Sequence, residues 1–115
     1  MSPNQTTLEG VAKHIKDLEQ LVTLLLQGLS RAKPWQRQLA AHLVDVDTQL
    51  QVLRLTVTLE RQVDEILVAA AHVAGSCRLA AAALTGSRAD PTTRAAVHLI
   101  VDLANSIHTG LGQLK

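Results

Sequence analysis

The sequence predicts an all-α protein, an up-down antiparallel four-helix bundle, and three observations predict it. Apolar residues recur alternately three and four apart along most of the chain, two of the three breaks in that recurrence carry helix-start or capping residues, and the aromatics amount to one Trp with no Phe or Tyr. Alternation by threes and fours marks an apolar helix face. Sheets draw on aromatic and β-branched residues, so a core of Leu, Val, Ile and Ala favours closely packed helices. At 115 residues the chain has room for a single domain, 1–115, around one core.

The first helix is expected over about 6–30. Thr6-Thr7-Leu8-Glu9 reads as a capping box, with Thr6 as cap and Glu9 reaching back. The stripe Leu8, Val11, Ile15, Leu18, Val22, Leu25 and Leu29 follows. Pro34 suits the first position of a second helix, about 34–57, because its missing N–H would be unpaired there anyway. Leu39, Leu43, Val46, Leu50, Leu53 and Val57 form that helix's stripe.

The pattern then slips by one residue, to Leu59, Val63, Ile66, Ala70, Val73, Cys77, Ala80 and Leu84. Such a slip swings the face by about 100°. The chain therefore turns near Thr56–Thr58, giving a third helix over about 59–85; the alternative fuses helices two and three into one long helix that changes its buried face. No Gly or Pro marks the place, and the alternation Leu53, Leu55, Val57, Leu59 would also fit a short strand. Thr85-Gly86 supplies a left-handed cap. Asp90-Pro91 opens the fourth helix, about 91–113, with the stripe Val97, Ile100, Ala104, Ile107, Leu111 and Leu114. The third helix is rich in small residues, from Ala69 to Ala83, and Gly75 among them is expected where another backbone passes. That small-residue run reads as tight internal packing or as a self-association seam.

Composition narrows the function. A net charge of +1 gives no reason to expect nonspecific DNA binding, and the lack of aromatics removes the stacking platforms of single-strand binders. Nucleic acid is thus not an expected partner. One cysteine, Cys77, has no partner for an internal disulfide, which points to a reducing cytoplasm. The N-terminus has neither the basic start nor the apolar run of a signal peptide. The stretch Ile66 to Leu84 is long enough to span a bilayer. It holds His72, Ser76 and Arg78, however, and reads as a core helix, so no membrane span is expected.

The side chains that could carry chemistry are scattered. The five histidines, His14, His42, His72, His98 and His108, lie on all four helices beside the apolar stripes. No Glu-x-x-His pair or Cys/His cluster accompanies them, so neither a metal site nor a cofactor is expected. Arg94, His98 and Asp102, spaced four apart, share a helix face, where a carboxylate-backed His could act as a general base.

Two short patterns resemble known families. Arg37-Gln-Leu-Ala-Ala-His42 resembles the Arg-x4-His motif of the HEPN helical ribonucleases, although it stands early in the chain; the resemblance implies a ribonuclease using Arg37 and His42. Ala71-His72-Val73-Ala74-Gly75-Ser76 resembles the His-x-x-Lys-Gly-Ser motif of histidine-containing phosphotransfer domains, themselves four-helix bundles. That resemblance implies phosphate accepted on His72. Here the Lys is missing and Gly75 stands one residue nearer the His.

Topology supplies a further expectation. In an up-down bundle the first and third connections share one end, which gathers Arg31, Lys33, Arg37, Arg88 and Arg94 with Trp35 among them. Helix N-termini there favour anions, and Glu60, Asp64 and Glu65 lie at the other end. Apolar residues beyond one stripe per helix (Ala96, Leu99 and Leu103 on the fourth, Val52, Leu55 and Leu59 on the second) exceed what a monomeric bundle needs. The sequence reading is therefore a small non-catalytic interaction or adaptor protein. It would form a homodimer and dock an acidic or helical protein partner through Arg31, Lys33, Trp35, Arg37, Arg88, Arg94, Leu99 and Leu103.

Overall fold

A computed structural model describes residues 3–114, with side chains from Leu8 onward. Four helices run through it: α1 (Pro3–Gly28), α2 (Pro34–Thr58), α3 (Val63–Ala83) and α4 (Pro91–Gly112). Each packs on the next and α4 closes on α1, so the four form a ring around one core. The bundle is elongated, 48 × 21 × 20 Å. No strand occurs among the described residues, and helices two and three are separate.

The helix starts follow local chemistry. Pro34 takes the first position of α2, and the Lys33 N–H donates to Gln36 Oε1 at 2.8 Å, half of a capping box. Asp90 caps α4: its Oδ2 accepts from Thr93 N at 3.0 Å and its Oδ1 from Thr93 Oγ1 at 2.7 Å. The Thr93 hydroxyl, with the backbone N–H groups, holds the Asp90 carboxyl below its ordinary pKa. For α1 the expectation fails, since the helix already runs from Pro3 and Thr6 stands inside it; the Thr6 side chain lies outside the described residues.

The turn between α2 and α3 falls at 59–62, a few residues beyond the expected Thr56–Thr58. Glu60 adopts φ 54 there. Arg61 N donates to Thr56 O at 3.0 Å and Glu60 N to Val57 O at 3.1 Å, the paired bonds of a Schellman cap. A carboxylic side chain thus occupies the position that Gly usually takes. Leu59, expected on the buried stripe, is left exposed in the turn. In the next connection Gly86 does take the left-handed conformation, φ 76, as expected.

The predicted stripes build the core. Leu39, Leu43, Val46, Leu50 and Leu53 of α2 are fully buried, as are Leu18, Val22, Ile100, Ile107 and Leu111 from α1 and α4. Each such side chain contributes roughly 1.5–3 kcal/mol of transfer free energy. On α3 the buried members are mostly small: Ala69, Ala70, Ala74, Cys77 and Ala80. These face inward, so this part of the small-residue run is internal packing, while Ala71 and Ala82 of the same run are exposed. Burial pushes the Cys77 thiol up to about 12, against a weaker lowering by Arg78.

Candidate docking surfaces

The first connection and the start of α4 meet at one end of the bundle. Ser30, Trp35 and Gln36 from the first connection and α2 line one groove of about 350 Å³ with Asp90, Thr92 and Thr93 from the start of α4. Trp35 is half-buried against the core, and its Nε1 is buried without a hydrogen-bond partner.

Three of the five expected cations turn out to be engaged in holding loops. Arg94 Nη1 donates to Leu84 O at 3.0 Å, its Nε to Ala89 O at 3.1 Å and its Nη2 to Ser87 O at 2.5 Å. Those carbonyls belong to the α3–α4 connection, which the guanidinium fork therefore clamps. Arg37 Nη1 does the same for the first connection, donating to Arg31 O at 2.9 Å and Ala32 O at 3.2 Å. Arg31 Nη1 donates to Leu29 O at 3.0 Å. A guanidinium suits this use because its donors form a fixed fork. Lys33 and Arg88 are exposed cations at the same end. The opposite end is less acidic than Glu60, Asp64 and Glu65 alone imply, because Arg61 Nε pairs with Glu65 Oε2 at 2.7 Å.

The supposed Arg94–His98–Asp102 unit is not assembled at its Arg94 end, since that guanidinium turns back to the loop. Arg37 is likewise committed to loop carbonyls, and His42, half-buried, stands about 140° away around α2. His72 is exposed on α3. No cluster of three or more metal-ligating side chains occurs among the described residues.

Gly75 is not a crossing point: nothing lies within 4 Å of where its Cβ would be. The close approach is at Gly110, where an added Cβ would stand 3.0 Å from Val11 Cγ2. Gly110 thus lets α4 lie against α1. Of the apolar flank expected on α4, Leu103 is half-buried against the core, Ala96 is half-buried and Leu99 stays exposed.

The surplus on α2 remains open to solvent. Val44, Val52, Leu55 and Leu59 are 45–65% exposed, and their spacing places them within about 80° of arc, opposite the buried stripe. On α3, Val68, Ala71, Gly75, Leu79 and Ala82 recur at helical spacing, again opposite the core. Val68 and Leu79 are both more than half exposed. The outer faces of α1 and α4 differ in kind. They present Lys13, Lys16, Gln20 and Gln27, and His98, Asp102, Asn105, Thr109 and Gln113, all exposed. Helices α2 and α3 thus expose more large apolar side chains than α1 and α4, interspersed with polar ones such as Thr48 and His72.

A second concavity runs between α1 and α2, which pack least closely. It has a volume of about 440 Å³ and is lined by Ile15, Lys16, Glu19, Arg54 and Val57 among others. Arg54 Nη1 and Glu19 Oε2 pair across it at 3.4 Å, while Glu19 Oε1 is buried without a partner. Helix α3 is long and apolar enough to cross a bilayer by length and composition. No family model, curated protein or solved structure matches this chain.

Proposed function

We propose that this chain is a small, non-catalytic helical interaction module of the reducing cytoplasm that self-associates and docks a further protein. One observation carries the reading: the outer faces of α2 and α3 expose Val44, Val52, Leu55, Leu59, Val68 and Leu79 together. Soluble monomers rarely expose a contiguous apolar patch larger than a few hundred Å² without using it. Sedimentation equilibrium of the full chain at micromolar concentration tests self-association. A mass near twice 12.3 kDa is expected, and a monomer at every concentration overturns it. Lys33 and Arg88, the exposed cations with no loop carbonyl to hold, are the residues that would draw an acidic partner to the basic end.

A second reading is favoured by the exposure of His72, which a phosphotransfer role needs. Incubation with a small-molecule phosphodonor should then give an acid-labile, alkali-stable phosphate that His72→Gln abolishes. No label on the wild type removes that reading.

A further inference from the structure

We infer that the apolar face shared by α2 and α3 is covered by the same face of a second copy of this chain, in a two-fold dimer that packs each α2 against the partner's α3. The inference rests on the self-association reading and adds to it the surface and the arrangement.

Size comes first. Helix α2 has 25 residues, so it is roughly 37 Å long, and the bundle is 20 Å across in Cα positions. The two-helix face therefore offers on the order of 700 Å², near the ~800 Å² per partner that stable interfaces bury. Among the described residues the other exposed large apolar side chains are Leu8 and Leu24 on α1 and Leu99 on α4, spread over two helices.

Shape points to a copy of the chain itself. The α2 stripe is a ridge of Val44, Thr48, Val52 and Leu55, continued by Leu59 just past the helix end. On the α3 stripe Val68 and Leu79 stand apart, with His72, Ala71 and Gly75 between them, and the two small residues leave a hollow beside His72. A two-fold axis running along the bundle lays the ridge of one protomer on the hollow of the other, and does so twice, as an isologous interface must. Gly75 fits this arrangement. It lowers helix propensity by about 1 kcal/mol relative to Ala, yet no neighbour within its own chain requires it.

Charge at the rim favours a protein over a lipid surface. Asp45, Asp64, Glu65 and Arg78 are exposed beside the two stripes. Helices that lie on membranes carry mainly Lys and Arg there. A mixed rim around an apolar centre is instead the usual anatomy of a protein interface.

The test uses the full chain in three forms, all checked for unchanged helical circular dichroism. A Leu55→Glu, Leu79→Glu double variant should weaken the dimer by about 30-fold or more, the scale of a central apolar contact. A Leu24→Glu, Leu99→Glu variant should leave it dimeric. Three results overturn the inference. A dimer that survives the first variant but not the second keeps self-association and moves it to another face. A wild type that is monomeric at all concentrations removes both. A monomer that floats with zwitterionic phosphatidylcholine vesicles, and loses this through Leu55→Glu, Leu79→Glu, makes a bilayer the occupant.

Discussion

Arg94→Ala should destabilise the fold although its side chain lies on the surface. The guanidinium is the common donor to three carbonyls of the α3–α4 connection, those of Leu84, Ser87 and Ala89. A net intramolecular hydrogen bond is worth about 1 kcal/mol, more when a charged group is involved. The bonds to Leu84 and Ala89 are half-buried and count in full, whereas water readily replaces the exposed one to Ser87. The expected loss is therefore about 2 kcal/mol, and Ala's own higher helix propensity makes that an upper bound. With unfolding entropy near 2.1 cal/mol/K per residue, the melting temperature should fall by about 8 °C. Urea unfolding followed by circular dichroism should show a lower midpoint at unchanged slope. Arg94→Lys should recover less than half, since a single ammonium cannot span carbonyls spread over six residues. A change within about 0.5 kcal/mol for Arg94→Ala, the range of ordinary surface substitutions, would refute the clamp.

Further predictions concern single side chains. Gly75→Ala should raise the stability of the single chain by up to about 1 kcal/mol, because the new methyl meets nothing within that chain. Gly110→Ala should fail to gain and should destabilise if buried Val11 cannot move from its 3.0 Å approach; equal gains in urea melts would place the α1–α4 contact wrongly. Cys77 should resist a thiol-specific reagent at neutral pH and react fully in concentrated guanidinium, because burial holds it as the thiol. Fast labelling of the native protein would contradict its burial.

The fold was legible because periodicity survives packing. All of Leu39, Leu43, Val46, Leu50 and Leu53, read from spacing, are buried. What escaped were features decided by single backbone angles or by long side chains. Glu60 caps α2 in a left-handed conformation that costs roughly 1–2 kcal/mol for a residue with a Cβ, and no propensity rule would nominate it. Arg31, Arg37 and Arg94 looked like free surface charge because sequence says nothing of which carbonyls a loop leaves unpaired. Gly75 and Gly110 carried equal weight as letters, and only three-dimensional neighbours separate them. On the docking side, the exposed Val52, Leu55 and Leu59 were recognised as surplus, yet Val44, Val68 and Leu79 were not. The second stripe on α3, Val68 and Leu79, is hidden in the sequence by the small residues around it.

The ring of helices also fixes how the chain can fold. Three of its four seams join sequence neighbours through connections of four to seven residues, and only α1 against α4 joins distant segments. Local hairpins of this kind place helical bundles among the faster-folding topologies. The α1–α4 seam must instead close a loop of nearly the whole chain, and loop entropy delays that step. Val11 meeting Gly110 should therefore form late in folding. Substitutions there should speed unfolding more than they slow folding, whereas changes inside the α2–α3 pair should act mainly on the folding rate.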